Sequence, residues 1–162
     1  MRVQPPGTMT LLLGGVALWR YRENQRNYPG FHVAAAAPGC ERLLGALAMI
    51  QTERGREVVV DLIPPDAAIL KRANNRKGLA RITGFKHWRF RQAATSASGL
   101  AFLIRGDTCN LDVAPQMIAR LSAAVVDLAQ RTDDFSLGDQ DEDLLWFWSP
   151  ASATSPRRHE RR

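Results

Sequence analysis

Only two long stretches of this chain repeat apolar residues at the three- and four-residue spacing of a helix face, and short runs typical of strands fill most of the rest. The first stretch follows Pro38 and the second follows Pro115, and proline is favoured in the first turn of a helix. Their apolar faces consist of Leu43, Leu44, Leu47 and Ile50, and of Met117, Ile118, Leu121, Val125 and Leu128. Two helices among this many strands predict an α+β fold, with a mostly antiparallel sheet and the two main helices packed on one face.

The strand-like runs give the order β-β-α-β-(α)-β-β-β-α-β. Asp66 is placed to cap the short helix in parentheses, and Gly106-Asp107 is a tight hairpin turn. The acidic segment 133–143 is expected to be a loop. The predicted strands cover residues 11–21, 31–35, 57–63, 79–92, 100–105, 108–113 and 144–148.

The length of 162 residues suits one domain. We expect a single α+β domain over residues 10–149. Residues 1–9, with Pro5, Pro6 and Gly7, predict a flexible leader in which either Met1 or Met9 is the start. Residues 150–162 predict a disordered basic tail.

The sequence contains no recognisable secretion signal. The apolar run 10–19 continues directly into Arg20 and Arg22 without a small-residue cleavage site. No run approaches the roughly 20 apolar residues of a membrane span, so no membrane partner is expected. Two cysteines do not make a disulfide framework, which favours the cytoplasm. The 22 basic residues include only three lysines, a composition typical of a GC-rich bacterial genome.

Charge is distributed unevenly behind the formal net charge of +6. Residues 66–106 carry nine basic and one acidic side chain, whereas residues 107–156 carry two basic and nine acidic ones. The basic segment 71–91 also contains Phe85, His87, Trp88 and Phe90, and cations with stackable rings are typical of a single-stranded nucleic-acid groove. The candidate nucleic-acid-binding residues are Arg76, Lys77, Lys86, Arg89 and Arg91.

Strand alternation gives a second interpretation of the same segment. It would place Lys86 with the apolar residues Ile82, Trp88 and Phe90, and the other cations on the opposite side. Those cations would then form a solvated or internally paired face, or a surface for an acidic protein. They are Arg81, Arg89 and Arg91, with His87 between them.

Cys40 is the one candidate for catalysis, because a helix start lowers the pKa of a thiol. A nucleophilic thiol also needs a base, and the spacing pairs neither His32 nor His87 with Cys40. Cys40 is therefore either the centre of a thiol-dependent enzyme or a small apolar residue at a helix end. The acidic run 139–143 does not begin a calcium loop, because the sixth and twelfth positions, which require glycine and glutamate, are Leu144 and Pro150. No cofactor or metal motif occurs.

The aromatic run Trp146-Phe147-Trp148 would place large rings on both faces of the last strand. It predicts either core packing or a partner-binding patch, since exposed aromatic side chains are frequent hot spots.

Several segments resemble a group of small uncharacterised bacterial proteins over about residues 11–148. The segments are Asn27-Tyr28-Pro29-Gly30-Phe31-His32, Gly39-Cys40-Glu41, Asp134-Phe135-Ser136-Leu137-Gly138 and Leu145-Trp146-Phe147-Trp148. The resemblance implies no activity, but it selects these segments for testing.

The missing catalytic constellation and the polarised charge predict a non-enzymatic bacterial binding protein, of an accessory or immunity type, with a protein partner. Nucleic-acid binding and thiol-dependent catalysis are the alternatives.

Overall fold

A computed structural model describes residues 14–22, 29–74, 81–94, 99–130, 134–138 and 144–150 of the chain. Within these ranges it contains three helices and nine strands. The helices are α1 (Ala37–Thr52), α2 (Ala67–Asn74) and α3 (Pro115–Gln130). The strands are β1 (Val16–Tyr21), β2 (Phe31–Ala35), β3 (Glu57–Asp61), β4 (Ile82–Gly84), β5 (His87–Gln92), β6 (Leu100–Arg105), β7 (Thr108–Val113), β8 (Phe135–Leu137) and β9 (Leu145–Trp148).

The strands divide between two sheets. The first sheet has the order β4-β1-β2-β9-β8, and the second has the order β3-β5-β7-β6. The β2–β9 and β5–β7 pairs are parallel, and the other five pairs are antiparallel. The α+β class and the mostly antiparallel pairing are confirmed, whereas the division into two sheets was not anticipated.

The two long helices lie in one core with the inner faces of both sheets. Helices α1 and α3 pack against each other, and the core joins their apolar sides to residues such as Leu18, Val33, Trp88 and Leu111. The predicted helix faces are confirmed: all five α3 residues are buried, and in α1 only Leu44 remains partly exposed. The short helix α2 instead packs through Ile69 on the opposite face of the first sheet, in a second cluster with Trp19 and Trp148.

The predicted strand 79–92 is interrupted, because the chain passes from one sheet to the other at Phe85 and Lys86. The Phe85 N–H donates to the Leu18 carbonyl in the first sheet at 3.3 Å, and the Lys86 N–H donates to the Asp107 carbonyl beside the second sheet at 2.8 Å. The break resets the alternation, so Lys86 is exposed instead of lying with the buried Trp88. The expectation that Lys86 points inward is wrong.

The segment predicted as an acidic loop contains a strand. Phe135–Leu137 forms β8 and pairs antiparallel with β9. The rings of Phe135 and Phe147 stack across this pair with centroids 4.8 Å apart, a contact between residues that only tertiary structure brings together. As a result β9 lies inside the first sheet, between β2 and β8, and not at its edge.

Local signals are confirmed where they were strongest. The Asp66 carboxylate accepts a hydrogen bond from the Ile69 N–H at 2.8 Å and caps α2. Gly106-Asp107 joins β6 to β7, with Gly106 at φ 59°. The predicted leader lies outside the described residues, as does the predicted tail except for Pro150. No helix in the described ranges is long and apolar enough to cross a membrane.

Candidate functional site

The second sheet has one face in the core and one face that no described element covers. In β5, Trp88 and Phe90 point inward and are buried, so His87, Arg89 and Arg91 point outward. We call this surface the outer face of the second sheet. Alternation and register add Glu57, Val59 and Asp61 of β3, Thr108, Asn110 and Asp112 of β7, and Ala101, Leu103 and Arg105 of β6.

Arg89 and Arg91 on the outer face are paired with carboxylates on neighbouring strands. Arg91 binds Asp112 through two hydrogen bonds, at 2.8 Å from Nη2 and 3.2 Å from Nε. These hydrogen bonds and the charge of Asp112 raise the pKa of Arg91. Arg89 Nη1 lies 3.6 Å from Glu57, and Arg91 Nη1 lies 3.9 Å from the same carboxylate. Each exposed pair stabilises the fold by no more than about 1 kcal/mol, but together they fix the pattern of charge.

The outer face is electrically balanced. It carries three arginines and three carboxylates, with His87 Nδ1 placed 3.0 Å from Asp61. This arrangement matches the internally paired interpretation of the basic segment, and it leaves no stripe of unpaired cations along β5 for a phosphate backbone. Nucleic-acid binding through Arg76, Lys77, Lys86, Arg89 and Arg91 stays a prediction, because the first two lie outside the described residues and the other three are exposed.

Two large apolar side chains lie on the two edge strands of this charged surface. Val59 is 48% exposed and Leu103 is 53% exposed. The register places them in one row across the sheet, with Arg89 and Asn110 between them. The Asn110 amide donates to the Leu103 carbonyl at 3.1 Å, which holds the polar centre of the row in place. Exposed apolar side chains beside paired charges combine the two kinds of surface that protein–protein interfaces use.

Cys40 does not have the environment of a nucleophile. Its side chain is buried in the core and its thiol lies 3.9 Å from the Ala35 carbonyl. Burial raises the pKa of Cys40 to about 11, so the thiol is protonated at neutral pH. His32 lies on the opposite face of the first sheet and His87 lies on the outer face of the second, so neither can serve as its base.

Because the thiols of Cys40 and Cys109 are buried, we expect the protein to lose stability at alkaline pH. Burial also raises the pKa of Cys109 to about 12, against a small opposing effect of Arg20. Because both folded pKa values exceed the unfolded value near 9, the unfolded chain loses these protons first as the pH rises. The free energy of unfolding therefore falls above about pH 9, by about 1.4 kcal/mol per thiol at pH 10.

Urea unfolding at pH 7 and pH 10 measures this effect. In Cys40→Ala the difference in the free energy of unfolding between pH 7 and pH 10 should be smaller by the contribution of one thiol, about 1.4 kcal/mol. A Cys40→Ala variant that keeps the whole pH dependence of the original chain would contradict the burial argument.

The aromatic strand β9 is mostly internal. Phe147 and Trp148 are buried on opposite faces of the first sheet, as the prediction of rings on both faces requires. Trp146 is half-buried, and its indole N–H donates to the Pro29 carbonyl at 2.8 Å. Partner binding through Trp146, Phe147 and Trp148 thus has only the exposed part of Trp146 available.

His32 lies at the centre of an aromatic cluster that the sequence did not indicate. Its ring stacks on Trp19 at 5.6 Å, on Trp148 at 6.0 Å and on Trp146 at 6.2 Å, and Tyr21 meets it edge-on at 4.8 Å. Trp148 Nε1 donates to His32 Nδ1 at 3.0 Å. An indole nitrogen is only a donor, so Nδ1 is unprotonated and the proton of the neutral ring is on Nε2. We call these five residues the His32 cluster.

The His32 cluster joins segments that are distant in sequence. The parallel β2–β9 register pairs His32 with Trp146, and β8 continues the same sheet. Three of the segments that resemble small bacterial proteins therefore meet in adjacent strands, while Asn27 and Tyr28 lie outside the described residues. Four of its five residues are at most 1% exposed, so the cluster packs as part of the protein interior.

Other features of the described chain offer little chemistry. A shallow open groove of about 280 Å³ lies between α3 and β8, lined by Arg120, Asp127 and the strand Phe135–Leu137 among others. No group of three or more potential ligands for a metal ion occurs among the described residues.

Neither the models of known protein families nor the curated proteins include a match to this chain. The choice of a functional surface therefore depends on geometry alone, and the outer face of the second sheet is the candidate.

Proposed function

We propose that this chain is a non-enzymatic protein-binding domain that acts in the bacterial cytoplasm, as an accessory or immunity-type protein. Its recognition surface is the outer face of the second sheet. The observation that carries the proposal is the row in which Val59 and Leu103, both about half exposed, flank Arg89 and Asn110 on a sheet face that no described element covers.

The chemistry of the face supports a protein partner. Its charges are balanced, so attraction to polyanions is weak, while paired arginines remain able to exchange partners with carboxylates of a docking protein. The exposed apolar side chains at the two edges of the sheet supply apolar area that a docking protein can bury. Cys40 is protonated and has no adjacent base, which supports a role without catalysis. Two free buried thiols suit a reducing compartment such as the cytoplasm.

Affinity capture with matched variants tests the proposal. The tagged chain, Val59→Lys and Val126→Lys are compared in extracts of the native host, with and without nuclease treatment. Val59 lies on the outer face and Val126 lies on α3, and their exposures of 48% and 40% are similar. We expect the original chain and Val126→Lys to retain one partner in stoichiometric amount. We expect Val59→Lys to retain at least tenfold less.

Three outcomes would overturn the proposal. The first is the absence of any stoichiometric partner for the original chain. The second is equal capture by Val59→Lys and Val126→Lys. The third is capture that disappears with nuclease treatment, which would favour the nucleic-acid alternative through the basic segment.

A further inference from the structure

The two sheets have four edge strands in the described part of the chain, and three of them carry features that discourage pairing with another chain. β4 and β8 are only three residues long. β3 presents the exposed carboxylates of Glu57 and Asp61. Short length and edge charges are common devices against edge-to-edge association.

β6 is longer, and its only charge is Arg105 at its last position. It extends over six residues, its register with β7 is continuous, and Leu100–Ile104 contains no charge and no proline. Leu103 and Ile104 are 53% and 37% exposed, although Ile104 lies on the side of the sheet that faces the core. Over Leu100–Ile104, β6 is therefore an uncharged edge whose apolar side chains are covered only on one flank.

The register shows which backbone groups point away from β7. Leu100 pairs with Val113, and the Ala114 N–H donates to the Gly99 carbonyl at 3.1 Å. Hydrogen-bonded and non-hydrogen-bonded pairs alternate along an antiparallel ladder. The backbone groups of Ala101 and Leu103 are thus directed to β7. Those of Leu100, Phe102 and Ile104 are directed outward and have no partner among the described residues.

We propose that β6 pairs with β6 of a second copy of this chain, in antiparallel orientation about a two-fold axis at Phe102. In this register Leu100 faces Ile104 of the second copy, and Phe102 faces its own equivalent. All the outward backbone groups then form hydrogen bonds, about six in number. Two four-stranded sheets become one eight-stranded sheet.

Self-complementarity selects a second copy as the occupant. In an interface about a two-fold axis, the same strand of each copy faces the other. Like charges along such an edge would therefore face each other and repel. Leu100–Ile104 carries no charge, and Leu103 of one copy covers Ala101 of the other. Arg105 lies beyond the paired residues, opposite Gly99 of the second copy, which keeps the two arginines roughly 20 Å apart at strand spacing.

The pairing includes Leu103 at the β6 edge of the outer face, but it does not depend on which partner that face binds. It joins the outer faces of two copies at their β6 edges, and Val59 lies on β3 at the opposite edge of each sheet. Failure of the dimer would leave the proposed function standing, and failure of partner capture would leave the dimer standing.

Sedimentation equilibrium of the full chain tests the dimer. At roughly 100 µM we expect twice the mass of one 18.0 kDa chain. Ile104→Lys should weaken association at least tenfold, because it places a charge in the pairing. Val126→Lys is the matched control, since Val126 is 40% exposed on α3, and it should associate like the original chain. Circular dichroism shows that each variant is folded.

Cross-linking tests the register itself. Ala101 and Leu103 of opposite copies form a non-hydrogen-bonded pair, whose Cα separation of about 4.5 Å suits a disulfide. Mixing Ala101→Cys protein with Leu103→Cys protein under mild oxidation should give more covalent dimer than either variant alone, and Cys40 and Cys109 are buried. A monomer at 100 µM, a dimer unaffected by Ile104→Lys, or equal cross-linking of mixed and single variants would overturn the proposal.

Discussion

Replacement of Gly39 by alanine is expected to lower the free energy of unfolding by about 2–3 kcal/mol, the upper part of the range for overpacked sites. A Cβ atom at position 39 would lie 2.7 Å from the Gly15 carbonyl oxygen and 3.2 Å from both Ala35 Cβ and Val16 Cγ2. The nearest of these is backbone, so relief requires α1 to move away from β1. Thermal unfolding measures the effect, and a fall in Tm of roughly 5–10 °C corresponds to this energy.

Gly45 provides the matched control on the same helix. It is exposed, and a Cβ atom there would have no neighbour within 4 Å. Gly45→Ala should therefore stabilise the protein by up to about 1 kcal/mol, because alanine has the higher helix propensity. Equal effects of Gly39→Ala and Gly45→Ala would contradict the close approach of α1 to β1.

Replacement of His32 by phenylalanine is expected to destabilise the protein by about 1–3 kcal/mol. The phenyl ring can keep stacking with Trp19 and Trp148, but it cannot accept the hydrogen bond from Trp148 Nε1. The Trp148 N–H then stays buried without the His32 acceptor, so the free-energy cost of removing it from water is no longer offset by that hydrogen bond. The measurement is urea unfolding at pH 7.

A double-mutant cycle isolates this hydrogen bond. Trp148→Phe removes the donor, so its cost should be smaller in the His32→Phe background than in the original chain, by about 1 kcal/mol. Strictly additive effects would mean that the hydrogen bond between Trp148 and His32 does not stabilise the fold.

Features encoded by neighbouring residues could be predicted from the sequence. The faces of α1 and α3 follow from apolar spacing, and the Asp66 cap and the Gly106-Asp107 turn follow from the chemistry of single residues. Each depends on contacts within a few positions along the chain. The class of the fold followed from the number and order of these elements.

Features that depend on distant contacts could not be predicted. The break at Phe85 is set by hydrogen bonds to Leu18 and by the position of Asp107, and β8 exists because Phe135 meets Phe147. An apolar strand that crosses between two sheets has the same periodicity as one that stays in a single sheet. Periodicity therefore does not reveal the division.

The candidate site was predicted in part. Alternation placed Arg89 and Arg91 on the side opposite Trp88, and the structure adds their partners, Glu57 and Asp112, from strands that only the register brings alongside. Val59 gave no signal, because a valine inside an apolar strand resembles any core residue. The central position of His32 was also missed, because its aromatic neighbours come from both ends of the chain.

A photo-cross-linking amino acid at position 59 tests the protein-binding proposal most directly. It is introduced in place of Val59 on the outer face, and in a second chain in place of Val126 on α3, and both are irradiated in cells of the native host. If the outer face is the recognition surface, we expect a discrete cross-linked protein from position 59 and none from position 126. No product from position 59, or the same product from both positions, would contradict the assignment of the outer face as the recognition surface.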